Sequence, residues 1–196
     1  MTPRLLALVA AALVVSACSP TAGPSQPPSS APVDLASLRG EYGLPDCPLT
    51  DPATVQVADG LPQTQLTCLG SDTMVNLAGL ERKPTIVNLW AQWCGPCREE
   101  SPYLRAGLAE LDDVAFVGVN YNDPRPEWAI EFAGLVGWKY PHVIDADKSL
   151  QVPLRVPGLP TTYFVDADGR IVGVHAGPFE STEQLLAMAD DYLGVE

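Results

Sequence analysis

Two kinds of apolar pattern alternate along the second half of the chain. The runs Thr85-Ile86-Val87-Asn88-Leu89-Trp90 and Val114-Ala115-Phe116-Val117-Gly118-Val119-Asn120 are nearly continuous, as strands buried on both faces are. Between them, over about 95–111, apolar residues recur at Leu104, Leu108 and Leu111 among Arg98, Glu99, Glu100, Arg105 and Glu110, which predicts a helix. A second helix opens at Pro126, with proline in the first turn where its missing N–H is harmless. Residues 142–145 predict a short strand, and 148–152 a helical turn. Two alternating runs at 161–165 and 170–174 flank Asp166-Ala167-Asp168-Gly169, a hairpin signal. Ser181 then stands as N-cap of a helix running to about residue 193, with Gln184 at the third helical position where a capping box places it.

Earlier in the chain, 65–69 and 73–76 flank Gly70-Ser71-Asp72 and predict another hairpin, whereas Pro45, Pro48, Pro52 and Pro62 deny 38–61 any long element. Strand, helix and strand followed by helix, hairpin and helix predict an α/β layer structure with helices on both faces of a mixed sheet. No internal repeat interrupts this order.

Residues 1–17 have a different pattern. Arg4 precedes an apolar run over 5–15, and Ser16-Ala17 lead to Cys18, which together read as an export signal too short to span a bilayer. Val15-Ser16-Ala17-Cys18 resembles the lipobox of bacterial lipoproteins, which makes Cys18 the expected lipidated N-terminus; the alternative is an ordinary secretory signal with Cys18 incidental. Pro, Ser, Ala and Thr dominate the following stretch, so 18–40 is assigned to the lipidated Cys and a flexible tether, and 41–196 to a single domain. Apolar residues at 46% with 18% charged suit a globular domain, and a net charge of −13 argues against a nucleic-acid partner.

The candidate chemistry sits where the first buried strand meets the first helix, at Trp93-Cys94-Gly95-Pro96-Cys97. Unpaired N–H groups and the positive end of the helix dipole favour a thiolate at Cys94. Cys97, one turn in, is expected to be more buried, so Cys94 is the attacking sulfur and Cys97 the resolving one. Half of a four-cysteine zinc site would need a second close pair, which Cys47 and Cys68 do not form, and haem attachment would need His where Arg98 stands. A purely structural disulfide over so short a span is unusual. A redox pair that follows a strand and opens a helix is the reading the residues favour. Five cysteines leave one unpaired; with Cys18 lipidated, Cys47 and Cys68 remain to pair as a structural disulfide, or alternatively as an electron relay. His142 and His175 lack metal-ligand spacing, and no metal is expected.

These motifs, together with Glu100-Ser101-Pro102 and Val156-Pro157-Gly158-Leu159-Pro160-Thr161-Thr162, resemble the extracytoplasmic thiol:disulfide oxidoreductases of the TlpA/ResA/DsbE group over about residues 61–193. The resemblance implies a thioredoxin fold: a central mixed β-sheet flanked by helices, with an N-terminal β-hairpin extension and a central insert at 122–154. It implies that Pro160 is a cis-proline facing the disulfide, and that Trp93, Gly95, Pro96 and Leu159 meet an extended substrate. Asn88 departs from thioredoxin, which has a buried Asp there, and Glu100 holds the place of the proton-handling Glu of the ResA-like subset. Trp90 and Trp93 are expected to shield the site. The implied activity is thiol:disulfide exchange with extracytoplasmic proteins, in cytochrome c maturation or oxidative folding. The implied partners are protein thiols or disulfides, a membrane electron donor or acceptor protein, and the membrane itself through the lipid anchor. No cofactor beyond the redox-active disulfide is expected. The alternatives are a soft-metal (copper) binding lipoprotein and a thiol peroxidase on the same fold.

Overall fold

The computed structural model describes residues 32–195. The signal at 1–17, Cys18 and the tether as far as residue 31 lie outside the described residues. The strands are β1 (Gln65–Cys68), β2 (Met74–Asn76), β3 (Thr85–Trp90), β4 (Ala115–Tyr121), β5 (His142–Asp145), β6 (Thr161–Val165) and β7 (Ile171–Ala176); the helices are α1 (Leu35–Glu41), α2 (Gly95–Glu110), α3 (Pro126–Leu135) and α4 (Thr182–Leu193). All seven strands join one mixed sheet in the order β2-β1-β5-β4-β3-β6-β7. The parallel pairs are β3 with β4 and β4 with β5; every other pairing is antiparallel.

Period-two alternation sorts the central strand into two cores. Ile86 and Trp90 of β3 enter one core with Leu104 of α2, Ile130 of α3 and Leu185 of α4, while Val87 and Leu89 enter the other. The helices do not divide between the faces as the element order predicts. Each described α-helix contributes to the first core, and the second is closed by Leu61, a 3₁₀ turn at Leu77–Gly79, and Leu150 and Leu154 from a run of turns. The reason is topological: β3, β4 and β5 advance in one direction across the sheet, so two right-handed crossovers put α2 and α3 on the same side. The predicted helical turn at 148–152 is part of that run of turns and not a helix.

Helix α1, but for its last residue Glu41, falls inside the stretch that composition assigns to the tether. Asp34 caps it, its carboxylate accepting from the N–H groups of Ala36 and Ser37, and Leu35 and Leu38 pack against the first core. The short strand β5 lies well inside the sheet, between β1 and β4. Gly118 of β4 stands opposite His142 there, and a side chain at that position would come within 2.0 Å of the imidazole and 2.9 Å of the Trp90 indole. At α4 the capping box is shifted: Ser181 Oγ accepts from Gln184 N–H, but Gln184 Oε1 accepts from Glu180 N–H, one residue ahead of the cap.

Candidate active site

Strand β3 ends at Trp90, and four residues later the chain enters α2 with Cys94 as its N-cap. Cys94 Sγ accepts from the Cys97 N–H at 3.2 Å, so a helix-terminal donor already points at the sulfur that would carry the thiolate charge. The two cysteines are joined, with Cα atoms 5.3 Å apart. Cys94 keeps 4% of its surface and borders a groove, whereas Cys97 keeps none. Cys94, and not Cys97, is therefore the cysteine at the groove.

Downstream, Pro102 lies inside α2 and cannot donate to the Arg98 carbonyl; the Ser101 hydroxyl donates to that oxygen instead, at 2.9 Å. The helix therefore continues past its proline. The loop ahead of the cysteines is held from several directions. Asp123 Oδ2 accepts from Gln92 N–H at 2.8 Å and from Asn120 Nδ2 at 3.0 Å, Arg98 Nε donates to Gln92 O at 2.9 Å, and the Trp93 indole donates to Asn122 O at 3.1 Å. Asp123 is buried, and the sequence carries no pattern that marks it.

About one turn along α2 from the second cysteine lies a buried carboxyl group. Glu100, three residues past Cys97 on α2, is fully buried; Oε1 accepts from Asn88 Nδ2 at 3.0 Å and Oε2 from the Phe179 N–H at 3.2 Å. Burial pushes its pKa up to about 7, against the pull of those two hydrogen bonds toward the charged form. Asn88 Nδ2 also donates to Thr162 Oγ1, and Asn88 Oδ1 is buried with no partner. Turning that amide over would present Oδ1 to a protonated Glu100 and to the Thr162 hydroxyl, so one residue can serve both charge states.

The groove beside Cys94 has a volume of about 350 Å³. Trp93, Gly95, Pro96 and Leu159 line it together with Val156 from the same motif as Leu159, and Tyr121, Asn122, Lys148 and Gln151 join them from segments the sequence did not mark as part of a site. The Leu159–Pro160 peptide is cis; Leu159 lines the groove, and Pro160 is buried. Trp93 is 51% exposed and forms a groove wall, while Trp90 is wholly inside the first core.

Cys47 and Cys68 are bonded as cysteine parity predicts, in the second core, across the sheet from the first core that holds Cys94 and Cys97. His142 is buried and hydrogen-bonded; Nε2 pairs with Trp138 O at 3.2 Å, and burial pulls its pKa down to about 4. His175 pairs with Pro178 O and stacks on Phe179. Among the described residues, no three His, Cys, Asp or Glu side chains gather as a metal site.

A strand, a helix-capping cysteine pair and a cis Leu159–Pro160 peptide are the features to set beside known proteins. The Redoxin family model matches residues 56–191. The chain belongs to the Redoxin family. The thiol:disulfide interchange protein HelX of Rhodobacter capsulatus is 36% identical over 134 residues, covering 67% of this chain and 73% of that one. DsbE, also a thiol:disulfide interchange protein, from Pseudomonas fluorescens biotype C is 35% identical over 136 residues, covering 65% and 72%. Among solved structures, a secreted Mycobacterium tuberculosis disulfide oxidoreductase homologous to Escherichia coli DsbE superposes with a TM-score of 0.59 at 25% identity, over 66% of this chain and 96% of that one. This Redoxin-family chain is thus a thioredoxin-fold thiol:disulfide oxidoreductase acting on protein thiols or disulfides. The copper-binding and peroxidase alternatives find no support among these relatives.

Proposed function

We propose that the Cys94–Cys97 pair exchanges disulfides with extracytoplasmic proteins from a membrane-anchored position, using no cofactor other than itself, and that it runs in the reducing direction. The observation that carries this reading is a disulfide at a helix N-terminus whose outer sulfur borders a groove and whose inner sulfur shares a helix face with a buried, near-neutral carboxyl group. In the reduced protein the Cys94 thiolate attacks a substrate disulfide, one substrate sulfur leaves as thiolate, and a mixed disulfide forms. Cys97 then loses its proton to Glu100 and attacks Cys94 Sγ; the second substrate thiolate leaves, and two electrons have passed to the substrate. A dithiol protein, in this reading a membrane electron donor, restores the pair.

Extracytoplasmic placement rests on the export signal, the second disulfide and a secreted structural relative. Lipidation of Cys18, at the end of the lipobox-like Val15-Ser16-Ala17-Cys18, would supply the anchor. Gly95-Pro96 between the cysteines resembles the reducing members of the TlpA/ResA/DsbE group. Substrates of the kind that resemblance implies are apocytochrome c thiols held as disulfides.

Replacing the cysteines singly tests the roles. Cys94→Ser should abolish insulin reduction, and Cys97→Ser should accumulate mixed disulfides with substrate proteins. Reduction persisting in Cys94→Ser would overturn the assignment. A reduction potential near about −270 mV for the pair supports the reducing direction, and one near about −120 mV overturns it in favour of oxidation.

A further inference from the structure

The groove at the disulfide differs in charge from the protein that surrounds it. The chain has 24 acidic residues against 11 basic ones, yet no carboxylate lines the groove and one cation does, Lys148. None of the ion pairs among the described residues uses Lys148. Asp147 precedes it but is exposed outside the groove lining. Asp145 is buried and already accepts from Ser149 N–H at 2.7 Å, Ser149 Oγ at 2.8 Å and Leu150 N–H at 3.0 Å.

Those bonds to Asp145, with the Gln151 N–H donating to Lys148 O at 3.0 Å, fix the backbone that presents the lysine, which sits in the left-handed region at φ 57°. The cation thus starts from a defined point on the rim, with Gln151 beside it and the apolar walls of Trp93, Val156 and Leu159 near the sulfur. An extended segment laid in this groove meets apolar walls and, within the same groove as Cys94, one positive charge.

We propose that Lys148 is a specificity-determining residue that selects substrate segments carrying a carboxylate close to the reactive cysteine. The inference rests on exchange at Cys94 and adds the class of segment exchanged. Long-range repulsion from a chain of net charge −13 would disfavour acidic substrates as a whole, so the preference is local: acid beside the cysteine, whatever the net charge of the partner. An exposed pair of this kind changes rates by about two- to fivefold, and salt weakens it.

The test uses the reduced full-length protein and two peptides of identical composition, each carrying one cysteine as a mixed disulfide with a chromogenic thiol. In one, Glu residues flank the cysteine and Lys residues lie at the ends; in the other the charges are exchanged. The Glu-flanked peptide should be reduced about two- to fivefold faster at low salt, with the gap closing by about 0.5 M salt. Lys148→Glu should reverse the ratio and Lys148→Arg should preserve it. Equal rates at low salt, or a ratio unmoved by Lys148→Glu, would overturn the proposal. A third peptide with Gln at every charged position separates the two readings: if wild type fails to reduce it, exchange at Cys94 is what has failed.

Discussion

At Glu100 and His142, burial acts on two groups of opposite type in the same first-core side of the sheet. Glu100 is raised from 4.5 to about 7, so between those values the folded state holds a proton the unfolded chain gives up, and stability falls as pH rises. His142 is lowered from 6.5 to about 4, so the unfolded chain takes up a proton the folded state refuses, and stability rises with pH over that interval. At about 1.4 kcal/mol per pH unit each effect amounts to about 3 kcal/mol, and the two oppose each other where they overlap. Wild type should therefore hold a nearly constant urea midpoint across the overlap. Glu100→Gln should gain stability from pH 5 to 6.5 and His142→Gln should lose it; variants that track wild type at both pH values would refute the pairing. Glu100→Gln should also flatten the pH dependence of Cys97 alkylation near 7, if Glu100 takes the proton of that thiol. Glu100 was legible because it falls three residues past Cys97 on a predicted helix. The state of His142 was not, since nothing around it in the chain announces that Gly118 leaves space for its ring.

Among the elements, α2 and β3 were readable nearly to the residue because buried strand, capping cysteine and amphipathic spacing each carry a local signal. Helix α1 carries the same kind of signal, a capping Asp34 followed by Leu35 and Leu38, but the Pro- and Ser-rich composition around it masked so short an element. The Asp123 clamp on Gln92 had no local signal, because the two residues are 31 positions apart. The Cys47–Cys68 disulfide ties the proline-rich segment to β1 on the second core. With the sheet between it and Cys94–Cys97, a structural role is the one this placement supports. Closing a loop of 21 residues should contribute about 3 kcal/mol in the chain-entropy model, so the Cys47→Ala, Cys68→Ala double variant should lose about that much in chemical denaturation. It should still reduce small disulfides while folded. A large fall in exchange rate without loss of stability would instead favour an electron relay.

For the whole molecule, the described domain and the N-terminal segment answer to different experiments. Cys18→Ser should abolish fatty-acid labelling and release the protein from the membrane fraction; labelling that survives the change would sink the lipid-anchor reading. Composition and periodicity alone carried the expectation of an export signal, and determined the order of elements from β1 to α4 and the redox pair at the start of α2, because each of these is written in neighbouring residues. Tertiary structure decided which face the helices cover, that β5 lies between β1 and β4, and that Lys148, Gln151 and Tyr121 meet Trp93 and Leu159 around Cys94. Those outcomes depend on crossovers and turns that bring distant segments to one end of the sheet, and spacing along the chain does not encode such distances.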